Sequence, residues 1–316
     1  MSKTGLDEKS TVGMLGWLAD SPLYIDAQQV ERFYDAVVKP EGKEGTVTIE
    51  FSSEVTQEIK QTLEIGAEIG VPSLLGNLFS FLPKLNLKGA QDKTAGETSG
   101  SSHMIELHPI SNPQRQLEHL TLHYLANHRS RLCLVSDPAS TEWRDPATIR
   151  RVPRELVFLD LPGEAEHETF RTCLIPTAAE FEDGKIVLLY DELVGRLKEK
   201  AGSEPISYPE RAPEGRTLSD ARKEYWGWFH GHFSATKAMV VVEKAASDHG
   251  RLRWIDYRVP LTGEGDTLHL HMVPAATYDT GTFAYNFIKR GYKHGIRLVG
   301  TLKSEPDMNV LAIYEK

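Results

Sequence analysis

Apolar and polar residues alternate along this chain with two periods, close to 2 and close to 3.6, and the switches between them outline its elements. Thr46-Val47-Thr48-Ile49-Glu50-Phe51 alternates apolar with polar and predicts a half-buried strand. Leu23-Tyr24-Ile25 predicts a short strand. Asp26 then caps a helix through about Val38, with Val30, Phe33, Tyr34 and Val37 on one face. A second helix is signalled by Asn112-Pro113, a cap followed by a first-turn proline, with Leu117, Leu120 and Tyr124 on its apolar side. Strands are expected over 131–135, 155–161, 170–175, 238–243, 251–261, 267–273, 296–303 and 310–314, and helices over 191–200, 218–235 and 280–292. The stretch 54–70 mixes Val55, Ile59, Leu63 and Ile69 with Gly66 and Gly70 and is read as a helix.

Glycine and proline divide these elements into larger blocks. Residues 88–103 are rich in Gly, Ser, Thr and Lys and predict a mobile loop; 201–217 contain Gly-Ser-Glu-Pro, Tyr-Pro and Ala-Pro-Glu-Gly and predict a linker. The expected organisation is an N-terminal tail (1–20), an α+β domain (21–200), the linker, and a second α+β domain (218–316). Short connections between strands favour largely antiparallel sheets over a doubly wound parallel one. Two segments echo each other. Leu161-Pro162-Gly163-Glu164 precedes a strand ending at Pro176, and Leu261-Thr262-Gly263-Glu264 precedes one ending at Pro274; proline cannot donate to a ladder, so each is expected to stop its strand.

Composition narrows the class. Of 316 residues 40% are hydrophobic, enough for a sizeable core. The 36 basic and 45 acidic residues leave a net charge of -9, which repels polyanions and argues against nucleic acid as a main partner. Cys133 and Cys173 sit in apolar runs, read as buried thiols in a reducing compartment. The first residues show no signal-peptide pattern, and the longest apolar run, 71–83, is far below the ~20 residues of a membrane span. A cytoplasmic protein without an integral membrane segment is expected.

The histidines carry the most suggestive chemistry. His119 and His123 share a helix face at i, i+4, but Leu120 stands where a zinc peptidase needs Glu. His269 and His271 flank Leu270 on a strand and so point to one side; His230 and His232 surround Gly231 near the end of an aromatic helix. These four are the candidate metal ligands of a hydrolase, although a continuing helix would set His230 and His232 about 200° apart. Satisfied interior histidines are the plainer reading. Tyr225-Trp226-Gly227-Trp228-Phe229 reads as a core anchor, with Trp226 and Trp228 as candidate partner contacts. Lys289 to Arg297 and Arg144 to Arg154 are basic clusters, read as solvated helix ends and loops. No P-loop, dinucleotide fingerprint or Gly-x-Ser-x-Gly elbow occurs, and no cofactor is expected.

The opening Leu23-Tyr24-Ile25-Asp26 strand and helix, the variable stretch after them, and the closing helix with Gly295-Ile296-Arg297-Leu298-Val299-Gly300-Thr301-Leu302 resemble a bacterial domain-of-unknown-function family. That family includes the A component of the Dodola anti-phage defence system. The resemblance is one of layout and transfers no catalytic residue. It implies a cytoplasmic bacterial defence protein acting with a ClpB-like AAA+ ATPase. Together with the absent catalytic signatures and the aromatic cluster it leads to the expectation of a non-enzymatic binding or adaptor protein, with a homo-oligomer as a further partner reading. Leu74, Leu75, Leu78 and Leu82 recur at helical spacing between Pro72 and Pro83, with Phe79 beside them, and are the candidate docking residues. The alternative is a histidine-ligated, metal-dependent hydrolase.

Overall fold

The structure, a computed structural model, describes residues 15–38, 47–52, 55, 57, 103–107, 111–135, 153–163, 174–201, 209, 211–218, 220–221, 224–225, 228, 235–260, 267–273, 294–303 and 308–316. They divide into two compact units. One comprises Met1–Pro22 and Gln28–Leu132, the other Leu23–Ala27 and Cys133–Lys316. The division thus falls after Leu132. Strands from both sides of the 201–217 stretch share the second unit, and within it a single sheet.

The second unit is built on a nine-stranded sheet. In chain order its strands are β1 (Tyr24–Ile25), β4 (Leu132–Val135), β5 (Leu156–Pro162), β6 (Ile175–Phe181), β7 (Ile186–Val187), β8 (Leu252–Pro260), β9 (Thr267–Met272), β10 (Gly295–Leu302) and β11 (Met308–Glu315). They lie in the order β4-β5-β10-β11-β9-β8-β6-β7, with β1 added to β11. The fold is α+β, as the strand pattern predicts. The sheet is mixed: β11 and β9 run parallel, while β1 and β10 on β11, β5 on β10, β6 on β7 and β8, and β8 on β9 run antiparallel.

One face of this sheet carries the largest buried cluster. Val157, Leu159 and Leu161 on β5, Ile255, Tyr257 and Val259 on β8, and Leu268, Leu270 and Met272 on β9 alternate into it, as period 2 requires. Helices α3 (Leu189–Ala201) and α4 (Ala235–His249) pack on β6 and on each other. Tyr225 is fully buried in the same core. Its segment begins at Thr217, whose hydroxyl accepts from the Asp220 N–H at 3.1 Å and donates to the Asp220 carboxylate at 2.7 Å, a helix-start cap.

Three expectations are corrected here. Residues 238–243 are not a strand but part of α4. The run Val240-Val241-Val242 suits a strand by propensity, yet Ala238, Val241, Val242, Ala245 and Ala246 are buried at i, i+3, i+4, i+7 and i+8, and that stripe decides the matter. Pro176 does not end its strand: it lies within β6, opposite Tyr257, beside a bulge between Pro176 and Ala178 that absorbs its missing donor. His103, read as the end of a loop, opens strand β3.

The first unit holds most of α1 (Ala27–Val37), a pair of antiparallel strands, β2 (Val47–Phe51) and β3 (His103–Leu107), and α2 (Pro113–Asn127) packed on β2. Asn112 caps α2, accepting from the Arg115 N–H at 3.1 Å, as the sequence indicates. The helix is not merely amphipathic: every residue from Gln116 to Leu122 is buried. Two of its buried polar groups are answered locally. Thr121 donates to the Leu117 carbonyl at 2.8 Å, and Arg115 pairs with Glu118 at 2.9 Å.

Candidate functional site

The face of the second unit's sheet opposite the helices is polar around β6, β8 and β9. In an antiparallel pair, opposed residues point to the same side. Asp256 of β8 stands opposite His271 of β9 and Ala178 of β6; Arg258 stands opposite His269, and Trp254 opposite Glu180. Their neighbours Ile255, Tyr257, Leu268, Leu270 and Met272 are buried in the core, so alternation forces this set outward. The row continues across the sheet. Asn309 of β11 pairs with His271, and Thr301 of β10 pairs with Asn309, giving a lateral line Asp256–His271–Asn309–Thr301. Asn309 and Thr301 are buried, whereas the side chains of Asp256 and His271 keep 19% and 24% of their exposure. The line therefore runs from solvent into the sheet.

Asp256 organises the cluster. Its Oδ1 lies 2.6 Å from Nδ1 of His271, and its Oδ2 lies 3.6 Å from Nε2 of His269, an ion-pair separation rather than a hydrogen bond. Burial opposes the charge on Asp256, but the contacts with His269 and His271 together outweigh it and bring the carboxyl down to about 2. An ionised carboxylate only accepts, so the proton in the 2.6 Å contact belongs to Nδ1 of His271 and its Nε2 is left to act toward a ligand. The Trp254 ring lies 5.6 Å from the His271 ring, and its indole N–H donates to Glu180, which also binds Arg253 at 3.0 Å. At the β6 bulge the Thr177 hydroxyl donates to the Asp256 carbonyl at 3.2 Å. Together these contacts fix an oriented imidazole beside an aromatic plate.

Of the four histidines singled out by sequence, His269 and His271 do meet, on a shared carboxylate; His230 and His232 lie outside the described residues. Among the described residues no three His, Cys, Asp or Glu side chains are placed to hold a metal ion. Leu74, Leu75, Leu78, Phe79, Leu82 and Trp226 also lie outside them. Trp228 is half-buried against the core, its ring 6.1 Å from that of Tyr225. His119 is buried in α2, where burial and then the charge of Arg115 lower it to about 4. His123 is lowered to about 4 by burial and then by His128. Sequence reasoning missed Asp256, Trp254 and Glu180. The alternation Trp254-x-Asp256-x-Arg258 was visible, but only the β8–β9 register places Asp256 opposite His271.

A further surface lies at the end of the sheet. Among the described strands β7 is the last in the order, and Ile186 and Leu188 are 63% and 57% exposed there. No family model, curated protein or solved structure matches the chain.

Proposed function

We propose that this chain is a cytoplasmic, non-enzymatic binding or adaptor component of bacterial anti-phage defence, acting with a ClpB-like AAA+ ATPase. The observation that supports a docking role most directly is the β7 edge. A strand at the end of a sheet offers unpaired backbone groups, and natural proteins guard such edges with charge or shortness. Here the strand is only two residues long and the turn before it carries Glu182, Asp183 and Lys185, yet Ile186 and Leu188, the latter just past the strand, present bare apolar side chains two residues apart. That combination suits addition of a partner strand, with backbone bonds for affinity and the two side chains for specificity. The test is co-expression with the AAA+ protein, followed by gel filtration with and without an ATP analogue. Co-migration is expected, and Ile186→Lys with Leu188→Lys should abolish it while the chain keeps its melting temperature. Separate migration of the wild-type proteins under every nucleotide condition would overturn the reading.

A second reading is favoured by a specific observation. His269 and His271 converge on Asp256 with Nδ1 of His271 held at 2.6 Å, the arrangement of an oriented base. On this reading the chain is a hydrolase working through that cluster. Screening hydrolysis of ester, amide and phosphoester probes, metal-replete and metal-free, tests it; no turnover in any condition would remove it.

A further inference from the structure

We propose that Asp256 and His271 form an acid–base pair that hydrolyses small carboxylic esters carrying an aryl group, without a metal ion. The proposal rests on the hydrolase reading and names its substrate class. It starts from the 2.6 Å contact, which commits Nδ1 of His271 to the carboxylate. That engagement fixes the ring and leaves Nε2 as the working atom. Nε2 takes a proton from water as the water oxygen bonds to the ester carbonyl carbon. The imidazolium so formed faces the Asp256 carboxylate, which stays ionised. When the tetrahedral adduct collapses, the bond from carbon to the aryloxy oxygen breaks and His271 returns the proton to that oxygen, giving a carboxylic acid and a phenol. Trp254, with its ring 5.6 Å from that of His271 and its indole N–H tied to Glu180, supplies a fixed aromatic surface for the aryl group. His271 is the catalytic residue of this scheme, and Asp256 is a positioning residue.

The experiment uses the full chain with p-nitrophenyl acetate, after extensive chelation and again with added zinc. Turnover that survives chelation is expected. His271→Ala should reduce kcat/KM by roughly 100-fold, the usual share of a general base, and imidazole in the buffer should restore part of it. Asp256→Asn should lower kcat with KM little changed, and Trp254→Ala should raise KM with kcat little changed. His128→Ala, outside the cluster, should behave as wild type. If His271→Ala does not fold, by near-ultraviolet circular dichroism, His271→Gln replaces it. Activity that vanishes on chelation and returns with zinc would overturn the proposal and leave the hydrolase reading standing. Hydrolysis no faster than that of the folded His271 variant would overturn the proposal; absence of turnover on every probe class, with and without metal, would remove both.

Discussion

Asp256 bears a charge in a half-buried place because two imidazoles face it, and this has a consequence for acid stability. Its carboxyl is held near 2 in the fold against 3.8 unperturbed, so the folded state binds fewer protons than the unfolded one between those values. The contribution is present above about pH 4 and is lost as pH falls through 2. Asp256→Asn should therefore cost about 2 kcal/mol at pH 7 and much less at pH 2.5, read from urea midpoints of both proteins. Two histidines of α2 act over another window. His119 and His123 are lowered to about 4 by burial, so the unfolded chain takes up protons first as pH falls below 6.5. Each should remove up to about 1.4 kcal/mol per pH unit between 6.5 and 4, and His119→Gln should flatten that slope in a pH series of melting curves. In the sequence the histidines were visible as chemistry. Their partner was not, because a carboxylate on another strand is found only through register.

Where an element's boundary or type depended on local chemistry, the sequence could be read. Asn112-Pro113 starts α2 and the alternation at 47–51 makes β2. Where burial from several sides decided, it could not: α4 hides a helical stripe inside a valine run, and the middle of α2, 116–122, is buried all round although it carries Gln116, Glu118 and His119. Bulges were also invisible. Register shifts between Val299 and Gly300, where β10 meets β11, and a Cβ on Gly300 would collide with the Asn309 carbonyl and the Met308 side chain. Gly184, in the β6–β7 turn, has φ of 79° but open space around it. Gly184→Ala should then cost about 1 kcal/mol from backbone strain alone, and Gly300→Ala clearly more, because backbone must move. Equal midpoints for the two variants in chemical denaturation would contradict the packing described at β10–β11.

At the scale of the whole molecule, the opening segment is bound into the closing sheet. Tyr24 pairs with Ile313, and its hydroxyl both donates to the Val273 carbonyl at 2.6 Å and accepts from the Val273 N–H at 2.8 Å. Tyr24→Phe leaves two backbone groups without that partner and should cost about 1–3 kcal/mol, seen as a lowered denaturant midpoint. The separate strands 23–25 and 310–314 were each legible, but their pairing across the chain was not, since alternation gives a strand's faces and not its neighbour. The linker-like composition of 201–217 suggests a boundary between domains, while strands from both sides of it share one sheet. The α+β class survives these differences because it depends on the kinds of element present more than on their order. Among the described strands β7 ends the sheet order on one side, and hydrogen exchange on that edge tests the proposed adaptor role most directly. With the AAA+ protein and an ATP analogue added, the backbone amides of 185–188 should gain protection while those of β10 and β11 stay as they were. Unchanged exchange at 185–188 in a mixture where the two proteins do associate would contradict docking on this edge.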